Sequence, residues 1–205
     1  MKYGAKTVYK MSYCGCAAFC LLTVWAVVLL IFVRGGRVTM QLDEKVESIY
    51  HEKGLDVDLI KQLKEVESRR IEDYATFLKD AVYKANGNIG GIPCQVAIPS
   101  ATQNEINGKD ATCLVKNGCM AVGEGANMPT TPEGIKVFLD ARVAYGPGKA
   151  ANAGGVATSA LEMQQNASRD AWSFVFTEKK LEEIMVGIHN LCYGAAEEYG
   201  APGNY

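Results

Sequence analysis

The residues best suited to bind a ligand lie in the segment Pro147–Glu162, whose sequence is typical of a loop that becomes a helix. Asn152 carries a short amide, which can accept hydrogen bonds from the first N–H groups of a helix or pair with another amide. Gly154 and Gly155 leave the backbone open to close approach, and a helix start favours an anion. The alternative is structural, because small residues on a helix also allow tight packing against a neighbour.

Two further polar loops are predicted to lie beside this segment. Short apolar strands are predicted at 94–99, 119–122 and 143–145. A polar loop follows each strand, namely Ala101–Glu105, Glu124–Asn127 and the segment from Pro147. Because strand, loop and helix alternate three times, we predict a parallel sheet whose three loops share one edge and form one site. Taken alone, Ala101–Glu105 is more typical of a capped turn before a helix.

The elements that position these loops are mainly helices. Apolar residues at helical spacing predict helices at 55–66 and 69–78, with Asp56 or Asp58 as the cap of the first. Thr131 and Pro132 predict the start of another helix. A long helix is predicted over 150–172, followed by a final helix capped by Thr177 whose apolar stripe is expected to pack in the core.

The composition argues against several classes of function. The chain has 205 residues, a net charge of −2 and no basic stripe, so it offers no electrostatic case for nucleic acid. Its seven cysteines form no C-x-x-C pair and only two histidines accompany them, so no metal site is predicted. Scattered thiols in a reducing compartment are the better interpretation.

Three stretches resemble one known family closely. Gly148–Met163, Ala101–Glu105 and Ala121–Thr131 are similar, in order and spacing, to the hallmark segments of NADP-dependent glutamate dehydrogenases, which belong to the Glu/Leu/Phe/Val dehydrogenases. The likeness covers roughly 48–205 and a short piece near the start. It implies 2-oxoglutarate or L-glutamate and ammonium as substrates, NADP as cofactor with NAD left open, a homo-hexamer and the cytoplasm.

The same resemblance implies roles for particular residues. It implies cofactor contacts from Ala101, Thr102, Asn127 and Asn152, with Ser12 near the 2′-phosphate of NADP. It implies that Val156 and Ser159 line the pocket for the side-chain carboxylate of the substrate. No residue is predicted to be catalytic, because the family's lysine and aspartate for imine chemistry belong to an amino-terminal domain expected to be missing here, like the glycine-rich pyrophosphate loop. We therefore expect the isolated chain to be inactive.

A long apolar run interrupts the family-like sequence. Every residue from Cys14 to Val33 except Thr23 is apolar or glycine, and 20 such positions would span roughly 30 Å as a helix, the thickness of a bilayer core. The family has only a short turn here, so 13–47 is interpreted as an insertion. We favour translated non-coding sequence, with a membrane segment or a buried insert as alternatives. Transcripts that retain these codons would contradict that interpretation.

Together these features predict an α/β fold. We expect a partial Rossmann-like, doubly wound parallel sheet followed by long C-terminal helices, plus an N-terminal apolar, transmembrane-like helix. Residues 1–12 would be the second strand of the dinucleotide-binding domain, 48–147 the remainder of that domain, and 148–205 the helices that line the cleft. The alternative function is a non-catalytic, single-pass membrane-anchored module that docks on a full-length relative.

Overall fold

A computed structural model describes residues 6–10, 37–42, 48–85, 91–100, 102–202 and 204. Ser12, Ala101 and the apolar run Cys14–Val33 lie outside these ranges, so what was predicted for them stays a prediction. Across the described ranges, no helix combines the length and the apolar character that crossing a membrane requires.

The centre of the structure is a sheet of seven short strands. They are β1 (Lys6–Lys10), β2 (Arg37–Leu42), β3 (Ser48–Tyr50), β4 (Val82–Lys84), β5 (Val96–Ile98), β6 (Ala121–Gly123) and β7 (Ala144–Gly146). Their order across the sheet is β4-β3-β2-β1-β5-β6-β7. The five strands from β2 to β7 in that order are mutually parallel, which confirms the predicted parallel sheet.

Two features of the sheet were not predicted. β3 and β4 add an antiparallel end, pairing β2 with β3 and β3 with β4. β3 (Ser48–Tyr50) and β4 (Val82–Lys84) each mix apolar and polar residues within three positions, so neither shows an apolar run of the kind that predicted β5. In addition, β2 lies within the stretch 13–47 that was interpreted as an insertion, yet it pairs in parallel with β1. The predicted domain boundaries themselves stay a prediction.

Short helical pieces cover one part of the sheet. In chain order these are α1 (Val57–Lys61), a π-helical turn (Gln62–Val66), a 3-10 turn (Ile71–Asp73) and α2 (Tyr74–Phe77). Asp56 caps α1 as predicted, because its carboxylate accepts a hydrogen bond of 3.0 Å from the backbone N–H of Leu59. Ile71 and Tyr74 are fully buried in a core with Ile49 and Leu63. This core therefore packs the helical pieces against β3.

His51 and Lys53, which follow β3, form ion-pair contacts with Asp80, which precedes β4. His51 Nε2 is 3.2 Å from an Asp80 carboxylate oxygen, and Lys53 Nζ is 3.3 Å from the same oxygen. The hydrogen bond from His51, more than that from Lys53, lowers the pKa of the Asp80 carboxyl below its ordinary value. Because Asp80 is more than half exposed, solvent screens this interaction strongly.

Two capped helices cross over between the parallel strands near the loops. They are α3 (Gly108–Lys116), between β5 and β6, and α4 (Pro132–Asp140), between β6 and β7. Asn107 and Asp110 form a reciprocal capping box at the start of α3. At α4, the hydroxyl of Thr131 accepts a hydrogen bond of 3.3 Å from Gly134 N–H, as its place before Pro132 predicted.

These two helices bury their apolar faces on the sheet. Ala111 and Leu114 of α3 and Phe138 of α4 are fully buried, and the Phe138 ring stacks on Tyr145 of β7 with 6.3 Å between centroids. The same core contains residues from the strands and the turns before them, namely Cys94, Ala97, Cys119, Val122 and Val143. The strands β5, β6 and β7 therefore pack with α3 and α4 in one apolar core.

The C-terminal helices differ from the prediction in detail. They are α5 (Gly148–Ala151), α6 (Ala153–Ser168) and α7 (Phe174–Glu198). The single helix predicted over 150–172 is broken at Asn152, which has φ −98° and ψ 6°, and it ends at Ser168 because Arg169 turns left-handed with φ 55°. The predicted cap Thr177 is wrong: Ser173 caps α7 by accepting from Phe176 N–H at 3.3 Å.

The expected burial of the last helix holds only in part. Leu181 and Ala196 are buried and Leu191 of the predicted core stripe is 76% exposed. The other stripe residues are half-buried, namely Ile184, Met185, Ile188 and Cys192. Periodicity correctly indicates a helix, but it does not decide whether enough neighbouring chain is present to cover the apolar face. In this structure much of that face meets solvent.

Candidate functional site

Three loops meet at the carboxyl ends of β5, β6 and β7. We call Pro99–Asn107 the first loop, Glu124–Thr131 the second loop, and Pro147–Asn152, which contains α5, the third loop. Because the three strands are parallel neighbours, their loops emerge at the same edge of the sheet, where open α/β sheets bind ligands. We call this the loop edge.

Backbone hydrogen bonds join the first loop to the second. Asn104 N–H donates to the Met128 carbonyl at 3.0 Å, and Ile106 N–H donates to the Pro129 carbonyl at 2.9 Å. Asn104 and Met128 both adopt left-handed backbone conformations, with φ 55° and 51°. The two residues with these uncommon conformations are hydrogen-bonded to each other, so the first and second loops are held together through their backbones.

A close glycine contact strengthens the same junction. Gly125 N–H donates to the Pro99 carbonyl at 2.8 Å, and a Cβ on Gly125 would overlap the Ser100 side chain. Ser100 is buried, and its hydroxyl donates to the Ile98 carbonyl at 3.2 Å. A side chain on Gly125 would therefore displace the Ser100 hydroxyl where the second loop crosses the end of β5.

The second and third loops are joined through a buried carboxylate. Glu124 is 3% exposed, and its two oxygens accept backbone N–H groups from Gly148 at 2.8 Å and from Thr130 at 3.3 Å. The Glu124 N–H itself donates to the Gly146 carbonyl at 3.0 Å. Burial, followed by the hydrogen bond and the charge of Glu124, raises the pKa of the neighbouring Tyr145 hydroxyl.

Two predicted site residues contact each other directly. Asn152 Nδ2 donates a hydrogen bond of 2.7 Å to Asn127 Oδ1, which joins the third loop to the second across 25 residues of sequence. Gly148 lies beneath this pair. A Cβ at Gly148 would be 2.8 Å from the Ala126 carbonyl oxygen and 3.6 Å from Asn152 Nδ2, so a side chain there would collide with the site.

The other predicted residues are more dispersed. Thr102 is exposed in the first loop, where its N–H donates to a Glu105 carboxylate oxygen at 3.1 Å. Val156 and Ser159 lie one turn apart on α6, with Val156 71% exposed and Ser159 half-buried. The structure therefore brings Asn127 and Asn152 into contact and places Thr102 on the first loop and Val156 and Ser159 on α6.

Sequence reasoning missed one residue of this edge. Glu124 was treated only as part of a polar stretch, although it is the side chain that reaches from the second loop to the third. A carboxylate directly after a buried strand and before Gly125 is an available signal, but its burial depends on Tyr145 and Gly148, which come more than twenty residues later. Among the described residues, no group of three or more His, Cys, Asp and Glu side chains could bind a metal.

Comparisons with known proteins agree on one family. Residues 25–204 match the model of the glutamate/leucine/phenylalanine/valine dehydrogenases, and this match begins inside the apolar run. The chain is 47% identical over 164 residues to the NADP-specific glutamate dehydrogenase of Helicobacter pylori, an alignment that covers 77% of this chain and 37% of that relative. It is 45% identical over 174 residues to the glutamate dehydrogenase of Bacteroides thetaiotaomicron, across 83% of this chain and 39% of the relative.

A solved structure gives the same result. The glutamate dehydrogenase of Plasmodium falciparum superposes with a TM-score of 0.85 at 35% sequence identity, over 97% of this chain and 41% of that one. The chain thus spans less than half the length of these relatives. By the matched length, the sequence identity and the shared fold, this chain belongs to the glutamate/leucine/phenylalanine/valine dehydrogenase family.

Proposed function

We propose that this chain is the nucleotide-binding part of an NADP-dependent glutamate dehydrogenase, and that the loop edge binds the nicotinamide half of the cofactor. The observation that carries the proposal is the contact between Asn127 and Asn152 at 2.7 Å. Relatives that align over most of this chain are named NADP-specific glutamate dehydrogenases, which supports NADP as the cofactor and glutamate as the substrate.

The chemistry of the paired amides suits a carboxamide. When Asn152 Nδ2 donates to Asn127 Oδ1, the pair still offers the Nδ2 donor of Asn127 and the Oδ1 acceptor of Asn152. A nicotinamide carboxamide carries one acceptor and one donor group, so it can bond to both. The absence of a side chain at Gly148 lets the third loop lie directly against the Ala126 carbonyl, which supports the close approach of the two amides.

The substrate would lie beside the ring, against α6. Val156 and Ser159 share one face of that helix, and together they offer an apolar contact and a hydroxyl donor. The bound cofactor supplies the hydride for reductive amination of 2-oxoglutarate. The residues of this chain hold the two reactants in register, a contribution that can be large because it removes the entropy of bringing them together.

We further propose that this chain alone binds NADPH without turning over 2-oxoglutarate and ammonium. The family resemblance assigns the imine chemistry to residues of another domain, and the loop edge provides positioning rather than proton transfer. NADPH oxidation by the purified chain in the presence of both substrates would contradict this part of the proposal.

Titration with NADPH, followed by nicotinamide fluorescence, tests the site. Asn152→Ala should weaken binding by about tenfold or more, as expected when a paired polar contact is lost. Asn166→Ala is the matched control, because Asn166 is an exposed amide on α6, the helix that begins directly after Asn152. Equal affinities for the wild type, Asn152→Ala and Asn166→Ala would refute a nicotinamide site at the amide pair, and failure of the wild type to bind would refute the proposed function.

A further inference from the structure

We propose that Glu124 is a positioning residue that sets the Asn127–Asn152 contact by fixing the third loop against the second. This inference rests on the proposed function for its consequence in cofactor binding, but not for its structural content. In the described part of the chain, the Glu124 carboxylate bonds to the backbone of Gly148 and Thr130 and not to either asparagine. It acts through the backbone groups on either side of them.

The geometry of the carboxylate supports this role. One oxygen accepts from Gly148 N–H at 2.8 Å, four residues before Asn152, and the other accepts from Thr130 N–H at 3.3 Å, three residues after Asn127. The two asparagines therefore project from backbone that is tied to the same side chain. Because Glu124 is only 3% exposed, water cannot readily replace either hydrogen bond.

Neighbouring packing makes the carboxylate hard to replace. A Cβ on Gly148 would lie 3.4 Å from the Glu124 carboxylate oxygen, so the third loop already lies in contact with it. The buried Tyr145 also lies beside Glu124. A charged acceptor that serves two backbone donors can be matched only by another group with two acceptor atoms at the same reach.

This requirement gives sharp expectations for two substitutions. In Glu124→Gln the amide has the size of the carboxylate but only one acceptor oxygen, so one of the two backbone N–H groups must face an NH2 group. In Glu124→Asp both acceptors remain, but the side chain is one methylene shorter and cannot reach Gly148 and Thr130 together. Both variants should loosen the third loop while leaving the core in place.

The direct test observes the Asn152 side-chain amide by NMR in the full chain without any nucleotide. In the wild type, the hydrogen-bonded Nδ2 proton should be shifted from its ordinary position and protected from exchange. Glu124→Gln and Glu124→Asp should both return this signal towards that of an exposed amide, with an exchange rate at least about tenfold faster. An Asn152 signal unchanged in both variants would overturn the proposal.

Two controls separate positioning from general loss of stability. Glu162→Gln makes the same chemical change at an exposed site on α6, and Ile71→Val weakens the core beside β3, which is a separate cluster from the core that holds Tyr145. Neither should alter the Asn152 signal. If Ile71→Val changes it as much as Glu124→Gln does, the role of Glu124 is merely structural and the proposal is wrong.

NADPH titration of the same variants gives the functional consequence. Glu124→Gln should weaken binding by about tenfold, whereas Glu162→Gln should bind like the wild type. If the wild type fails to bind NADPH while the Asn152 signal still depends on Glu124, the proposed function fails and the positioning role stands. If NADPH binds the wild type and Glu124→Gln equally and the Asn152 signal is the same in both, the positioning role fails and the proposed function stands.

Discussion

The third loop provides the sharpest test of how closely the loop edge is packed. Replacing Gly148 by alanine places a Cβ 2.8 Å from the Ala126 carbonyl oxygen, where an ordinary contact begins at 3.4 Å. Because the obstacle is backbone rather than the end of a flexible side chain, the third loop must move by roughly half an ångström. That movement stretches the 2.8 Å hydrogen bond from Gly148 N–H to the buried carboxylate of Glu124.

The expected change in the free energy of unfolding combines two destabilising effects and one stabilising effect. Forcing a methyl group into a filled site costs about 1–3 kcal/mol. Weakening a hydrogen bond to a buried charged group adds up to about 1.5 kcal/mol. Against these, alanine reduces the entropy of the unfolded chain, which stabilises by about 0.4–1 kcal/mol. We therefore expect Gly148→Ala to lower the free energy of unfolding by about 2 kcal/mol.

Urea unfolding provides the assay. With a slope of about 2 kcal/mol per molar, the midpoint of unfolding should fall by about 1 M. Gly123→Ala is the matched control, since nothing lies within 4 Å of a Cβ built on Gly123 at the end of β6. The reasoning is refuted if Gly148→Ala unfolds at the same urea concentration as the wild type or as Gly123→Ala.

Three further predictions concern the core, a helix cap and a titrating contact. Phe138→Ala should lower the free energy of unfolding by about 3–5 kcal/mol in urea, because the ring is fully buried against Tyr145. Ser173→Ala should cost about 1 kcal/mol in the same assay and Thr177→Ala clearly less, since Ser173 is the cap of α7; the reverse order would contradict this. The lowered pKa of the Asp80 carboxyl stabilises the fold at pH values above the ordinary aspartate pKa of 3.8, and this stability is lost as the pH falls through the native pKa. Asp80→Asn should therefore flatten the decline of the melting temperature in acid. Parallel melting profiles for the wild type and Asp80→Asn would show that this contact does not matter.

The parts of the fold that were predicted correctly have local causes. Thr131 followed by Pro132 predicts the start of α4 because the cap and the fixed backbone angle act within four residues. Asp56 was one of two predicted caps of α1, and its carboxylate accepts from the N–H of Leu59 three residues later. The order of the three parallel strands follows from the rule that connects strand, helix and strand in one direction.

The parts that were missed depend on distant neighbours. The break at Asn152 was not predicted, and the side chain there bonds to Asn127 in another loop, the second of the two roles considered for it. Ser173 and Thr177 carry similar hydroxyls four residues apart. The three residues between them are all apolar and exposed, so they show no helical periodicity that would favour one cap over the other. The topology predicted that the three loops meet at one edge of the sheet. It could not predict the contribution of Glu124, which depends on its hydrogen bonds to Thr130 and Gly148 in the folded chain.

The sparse burial along α7 has a consequence for how the protein opens. A helix of 25 residues is roughly 37 Å long, yet Leu181 and Ala196 are its buried positions. Its anchoring is therefore much weaker per turn than that of α4, whose Phe138 is fully enclosed. Amide protons of α7 should exchange with solvent through local opening of that helix, whereas those of β5 and β6 should exchange only on global unfolding. We therefore expect at least two cooperative unfolding units in this molecule.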